Sequence, residues 1–193
     1  FIPALRNHHG SSVADQTSHQ RCVLSIALLT ISDSRTLDTD PSGDLLQERL
    51  LGAGHHLHSR AICPDDRYRI RAAVSQWIVD PTIDVVITSG GTGLTGRDGS
   101  PEAISPLLDK TIDGFGELFR VLSFQTIGTS SLQSRCLAGV ANGTFLFVLP
   151  GSQDAVTTAW DRLIAAQLNT ETQPCNLAQL RSRLKESQDK PAN

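Results

Sequence analysis

Methionine is absent from this sequence of 193 residues. With Phe1 first and no Met anywhere, the chain is expected not to be a complete translated start. An excess of positive charge is missing too. Lysine and arginine number 17 against 20 aspartates and glutamates, for a net charge of −3. A dominant nucleic-acid role needs a basic face, and none stands out. No apolar run is long enough for a membrane. Residues 22–31, CVLSIALLTI, fall well short of the about 20 residues that a spanning helix needs. That run also lacks a small-residue cleavage site, so it does not read as a secretory signal. The four cysteines, at 22, 63, 136 and 175, have no metal-knuckle spacing, which argues against zinc. They are expected as free thiols in a reducing, cytoplasmic setting, with Cys22 and Cys136 in strands. There Asn142-Gly143-Thr144 is a turn rather than a glycosylation site. No lysine follows the glycines as in a Walker A loop, and no Ser-His-Asp set of recognisable spacing appears.

What is present is a globular composition, 39% hydrophobic and 19% charged, in a chain long enough for one domain with a core. Residues 1–20 are polar and aperiodic and read as an N-terminal arm. Residues 21–177 read as the folded domain. Residues 178–193 read as a C-terminal tail with a helical start. Within the domain, strands and helices alternate. Residues 23–31, 57–63 and 84–88 have strand character. A first helix is expected to start at a Ser42 cap, bury Leu46, Leu50 and Ala53, and end at Gly54. A second, over 66–79, places Ile70, Ala73, Val74, Trp77 and Ile78 on one face. Ser100-Pro101 reads as a cap followed by a first-turn proline, and Pro106 limits that segment to short turns. Phe115, Leu118, Phe119 and Leu122 recur at helical spacing, with Phe115 and Phe119 expected in the core. Residues 137–140 and 144–149 flank Asn142-Gly143, a hairpin signal. Residues 153–168 put Val156, Ala159, Trp160, Leu163 and Ile164 on one face.

This alternation predicts a three-layer α/β/α sandwich with a mainly parallel sheet. Ligands in such folds sit beyond the carboxyl ends of the strands. Four loops fall there: Ser32-Asp33, Pro64-Asp65, the run from Ser89 to Asp98, and Pro150-Gly151-Ser152. The third is the richest. Gly90, Gly91, Gly93 and Gly96 let backbone N–H groups approach a ligand closely, as phosphate sites require. Asp98 then supplies a carboxylate, which suits a phosphate substrate carrying Mg²⁺. Gly91, Gly93 and Gly96 also satisfy G-x-G-x-x-G, but Arg97-Asp98-Gly99 follows and Pro101 sets the helix start later, against a dinucleotide fold. Asp65 reads either as a helix N-cap or as a second metal-facing carboxylate. Glu117 and Arg120 fit rim contacts or a solvated face. Arg135 fits a phosphate clamp or an exposed surface arginine. On a strand His56 and His58 share a face and His55 points away, so these histidines read as solvated strand-end residues, not a metal cluster.

Several of these stretches together resemble one family. Ser89-Gly90-Gly91-Thr92-Gly93, Arg97-Asp98 and Ser100-Pro101-Glu102-Ala103 look like the MoaB/MogA family of molybdenum-cofactor biosynthesis. Gly114-Phe115-Gly116-Glu117, Ser134-Arg135, Ala138-Gly139 and Leu149-Pro150-Gly151-Ser152 continue the match in order, and Asp33 and Ser42-Gly43 fit it. The similarity covers roughly residues 22–176, and residues 115–176 look closest to the MoaB branch. The resemblance implies an α/β domain that binds molybdopterin and ATP. It implies transfer of AMP from MgATP to the terminal phosphate of molybdopterin, with release of pyrophosphate, or else a non-catalytic pterin carrier of the same fold. It also implies a trimer or hexamer and a downstream partner enzyme that inserts molybdate. Asp65 and Asp98 match two aspartates that matter in the family's active members. On physical grounds Asp98, together with Asp65, is expected to orient Mg²⁺ directly or through its waters. Asp33, Ser42, Gly43, Ser89–Gly93, Ser100, Pro101, Glu102, Gly114, Gly116, Glu117, Arg120, Arg135, Pro150, Gly151 and Ser152 are the expected substrate contacts. Which loop takes pterin and which adenylate stays open.

Overall fold

A computed structural model describes residues 22–185, so the expected arm over 1–20 and the end of the tail lie outside the described residues. Its six strands form one sheet: β1 (Ser25–Ile31), β2 (His56–Cys63), β3 (Val85–Ser89), β4 (Lys110–Thr111), β5 (Leu137–Ala141) and β6 (Thr144–Leu149). The order is β2-β1-β3-β6-β5-β4. The β1–β2, β1–β3 and β3–β6 pairs are parallel, and β5 runs antiparallel to both β6 and β4. Chain order reverses between β1 and β3, so the ligand crevice of such sheets is expected there.

The strands alternate their faces and so build two cores. Ile26, Leu28, Val85, Ile87, Phe145 and Phe147 face one side. There they meet α1 (Pro41–Gly52), α4 (Asp113–Ile127) and α5 (Gln153–Ala159) through Leu46, Leu50, Phe115, Phe119, Val156 and Ala159. Ala27, Leu29, Val86, Leu146 and Val148 face the other side. They meet Ile70, Val74 and Ile78 of α2 (Arg67–Ile78) and Ala103 and Ile104 of α3 (Ser100–Ile104). Both sheet faces are covered, which makes the three layers. After α5 the helix continues as a π turn over Trp160–Ile164, then α6 (Ala165–Gln167); α7 (Leu177–Leu180) begins the C-terminal segment. Leu118, by contrast, lies on the exposed side of α4, and Leu122 is only partly buried.

The Asn142-Gly143 hairpin forms as the sequence predicts, with φ of 48° and 82° at its two central residues, the requirement of a type I′ turn. Pro106 sits in a single tight turn after α3.

Several local expectations change. The cap of α1 is Asp40, whose carboxylate accepts the Gly43 N–H, with Pro41 in the first turn; Ser42 is already helical. The cap of α2 is Asp66, which accepts from the N–H groups of Tyr68 and Arg69, so Asp65 has no capping role. Gly99 caps α3, and Ser100 is its first residue. Cys22 and Cys136 precede β1 and β5 rather than lying within them. His55 is buried, with Nδ1 accepting the Leu24 N–H and its ring edge-on to Trp160, so it is a packed residue and not a solvated one.

Candidate functional site

The glycine loop begins where β3 ends beside β1 and β6. Gly90 keeps one more sheet bond, donating its N–H to Leu149 O at 3.0 Å. Its φ is +107°, and a Cβ there would lie 2.2 Å from the Ile31 carbonyl oxygen. Only glycine permits that backbone and that approach. Gly91 follows at φ +65°, and a Cβ on it would strike Ser100 Oγ and Asp65 Oδ2. The Ser100 hydroxyl donates to Gly90 O at 2.8 Å, and the Ser100 N–H to Gly91 O at 2.9 Å. These two bonds close the loop between β3 and α3.

Three carboxylates surround the loop. Asp65 lies past β2 with Oδ2 over Gly91, while Oδ1 accepts the Gly99 N–H at 3.3 Å. Burial, together with the negative charges of Asp98 and Asp33, pushes its pKa above the usual carboxylate value. Asp98 is held the other way. Its Oδ2 accepts the Thr95 hydroxyl at 2.6 Å and the Thr95 N–H at 2.8 Å, which keeps its pKa low. Asp33 accepts the Asp65 N–H at 3.2 Å and pairs with Arg97, whose guanidinium lowers its pKa. The Asp33–Arg97 pair thereby links the loop after β1 to the tip of the glycine loop.

Arg135 lies under the same loop. Its Nε donates to the carbonyls of Gly93 at 2.9 Å and Thr92 at 3.2 Å, its Nη2 to Asp98 O at 3.2 Å, and its Nη1 to Glu102 Oε1. It is therefore neither a free surface arginine nor an idle cation. Arg71 of α2 donates to the carbonyls of Glu102 and Ala103, seating α3.

The loop after β6 completes the rim. The Ser42 hydroxyl donates to Gly151 O at 2.8 Å, and a Cβ on Gly151 would come within 3.1 Å of Gly90 Cα. Ser152 caps α5 through the Ala155 N–H. Beneath Ser42, the fully buried Asp40 accepts from the Thr30 hydroxyl at 2.6 Å and from Arg60 at 3.1 Å. Burial opposes its charge, yet these bonds and that of Gly43 hold its pKa below the usual value.

A cavity of about 320 Å³ opens beside Thr92 and Gly93 between α4 and α5, lined by Phe119, Ile127, Pro150 and Ala155 with hydroxyls of Ser123, Ser134, Ser152 and Thr158. It is large enough for a flat heterocycle. Ser89 lies just inside the rim, with its buried hydroxyl unpartnered among the described residues.

The structure thus brings together Asp33, Ser42, Gly43, Asp65, the Ser89–Gly93 run, Asp98, Ser100, Pro101, Glu102, Arg135 and Pro150–Ser152. It does not bring Gly116, Glu117 and Arg120 to this place. They line a separate cavity of about 340 Å³ with Cys136, whose burial raises its thiol pKa to about 11. Gly114 is exposed with open space around it. Three site-shaping residues lay outside the expected contacts: Asp40, Thr95 and Arg97. Asp40-Pro41 followed by Gly43 is a readable cap signal. The pairing of Arg97 with Asp33 is long-range and leaves no sequence trace.

No grouping of three or more histidine, cysteine or acidic side chains is poised for a metal among the described residues. The donor set at the rim is instead two aspartates on neighbouring loops. That set suits a cation that arrives on a phosphate substrate, since Mg²⁺ takes one or two carboxylates and completes its shell with phosphate oxygens and water.

Comparison with known proteins agrees with this geometry. Residues 27–170 match the family model described as a probable molybdopterin binding domain. The Escherichia coli (strain K12) molybdenum cofactor biosynthesis protein B is 52% identical over 151 residues, covering 78% of this chain and 89% of that protein. A crystal structure of a molybdenum cofactor biosynthesis protein B superposes with a TM-score of 0.77 at 41% identity, over 86% of this chain and 98% of the other. The tungsten cofactor synthesizing protein MoaB from Pyrococcus furiosus superposes with a TM-score of 0.66 at 34% identity, over 74% of this chain and 91% of the other. The chain belongs to the MoaB/MogA family of molybdopterin-binding, molybdenum-cofactor biosynthesis proteins.

Proposed function

We propose that this chain acts in molybdenum cofactor biosynthesis by moving AMP from ATP onto the terminal phosphate of molybdopterin. The single observation that carries the reading is the approach of the Asp65 and Asp98 carboxylates to Gly91 and Gly93 of a loop with two positive-φ residues, next to a cavity sized for a heterocycle.

The pterin phosphate is anionic at neutral pH and needs no protein base. Its oxygen attacks the α-phosphorus of ATP, a new P–O bond forms, and the bond to the β-phosphate oxygen breaks to release pyrophosphate. The barrier is the approach of one anion to another, so positioning and charge neutralisation are what a protein can supply. Mg²⁺ brought with ATP supplies the neutralising charge. The chain's own residues set the stage. The Gly91 and Thr92 N–H groups are the loop's proposed donors to a phosphate, since that of Gly90 is bonded to Leu149 O. Asp65 and Asp98 would be the carboxylates that hold the cation, directly or through its waters. Ser42, through Gly151, holds the opposite wall. The activated product then passes to an enzyme that inserts the metal oxyanion.

The same reading includes a homo-oligomer, a trimer or a hexamer. Leu118, Val121, Phe124 and Ile127 run along α4 at three-residue intervals, and each is more than half exposed, as is Leu132 just beyond. A second copy of the chain is the proposed cover for that stripe.

The test is to incubate the protein with MgATP and molybdopterin and measure pyrophosphate and adenylylated pterin. Both should form together. Pterin binding without either product would instead identify a carrier.

A further inference from the structure

We propose that Arg135, held by Glu102, is a positioning residue that sets both functional aspartates through the peptide planes of the glycine loop. The inference rests on the proposed transfer reaction for its kinetic arm only.

A trans peptide points its C=O and its N–H in opposite directions. Arg135 captures the carbonyls of Thr92, Gly93 and Asp98. The amides of Gly93, Leu94 and Gly99 belong to those same peptides, so they are turned away from the guanidinium. Two of them lie at the aspartates. The Gly99 N–H donates to Asp65 Oδ1 at 3.3 Å. The Asp98 carboxylate packs against Gly93, with Oδ2 2.7 Å from where a Cβ would sit, and the Gly93 amide helps to lower its pKa. One guanidinium therefore orients the peptide that bonds Asp65 and the peptide against which Asp98 packs.

A glycine-rich loop has no side-chain packing to fix its peptides, so an outside brace is what makes such a loop single-valued. The guanidinium fork suits this task because its donors are fixed in one plane. Glu102 takes the remaining edge and keeps Arg135 aimed inward. The arrangement commits the Nε–H and one N–H on each terminal nitrogen to the loop and to Glu102, so Arg135 is placed to act on substrate through the loop.

The two roles predict opposite signs for Glu102→Gln. A clamp would be released by losing its acidic partner, and anion binding would tighten. A brace would loosen, and the aspartates would lose their setting. The experiment compares wild type, Glu102→Gln, Arg135→Lys and Arg135→Gln in two ways. The first is amide hydrogen exchange over residues 91–99 without ligand, well below the melting temperature. The second is steady-state transfer as a function of Mg²⁺. We expect exchange in 91–99 to quicken roughly 10-fold in all three variants. We expect kcat to fall about 10- to 100-fold, with KM for ATP nearly unchanged and more Mg²⁺ needed for half-maximal rate. Lysine should not rescue, because it lacks the fork. Wild-type exchange in the Arg135 variants would overturn the proposal. So would a loss confined to KM, or tighter nucleotide binding in Glu102→Gln. If wild type itself transfers nothing, the reaction assignment fails, and the exchange data still decide the brace.

Discussion

Asp65 accepts the backbone N–H of Gly99 at 3.3 Å, so the loop after β2 is docked against the far end of the glycine loop after β3. The contact joins the two carboxyl-end loops that carry Asp65 and Asp98. It also places Asp65 where burial and its acidic neighbours Asp98 and Asp33 raise its pKa. The fold thus favours the protonated form of Asp65 more than the unfolded chain does, at the place where the proposed reaction needs a cation.

That preference predicts a trade between stability and activity. A raised pKa means the fold favours the protonated form. This favourable contribution is complete at acid pH below the unfolded value and is lost as pH rises through the folded value. At neutral pH the ionised Asp65 therefore costs stability. Asp65→Asn should raise the melting temperature at pH 7–8 by a few degrees, on the order of what a small relief of charge gives in a domain of this size. The gain should vanish at low pH. Transfer should fall at least about 100-fold. Thermal melts across pH, paired with turnover, check both parts.

Asp40 predicts the reverse pH behaviour. Its pKa is lowered in the fold, so its contribution is present above the unfolded value and fades as pH falls through the folded one. Asp40→Ala would leave Arg60 without one partner and remove the cap of α1. A loss of about 3 kcal/mol is expected from denaturant titration at pH 7, shrinking in acid.

Gly91→Ala tests the loop without touching the core. The new Cβ would meet Ser100 Oγ at 2.3 Å and Asp65 Oδ2 at 2.7 Å, at a φ of +65°. A cost of about 1–3 kcal/mol and loss of nucleotide binding are expected by calorimetry. Gly96→Ala is the control, since nothing lies within 4 Å of its added carbon.

Assembly is tested on α4. Val121→Glu together with Phe124→Glu puts charge on two exposed apolar positions. Light scattering should show the oligomer reduced to monomer, with the far-UV spectrum unchanged.

Much of this architecture was legible in the chain because the signals were local. The 3.6-residue spacing of Ile70, Val74 and Ile78, the Asn142-Gly143 turn and the glycines after β3 each report on their own neighbourhood. The helix caps lie one or two residues before the serines that the sequence favours, because Ser42 and Ser100 compete with Asp40 and Gly99 and only backbone geometry chooses between them. The burial of His55 leaves no local signal because it depends on Trp160, which is distant in sequence. The separation of Glu117 and Arg120 from the glycine loop depends on where α4 crosses the sheet, a property of packing rather than of spacing. The bonds of Arg135 to Thr92, Gly93 and Asp98 are long-range for the same reason.

The most direct test of the central claim follows the α-phosphate. ATP labelled at that phosphorus, with Mg²⁺ and molybdopterin, should leave its label on the pterin in a single turnover, in step with pyrophosphate. Asp98→Ala should remain folded and transfer none. Label that stays on nucleotide while wild-type protein binds the pterin would contradict the account.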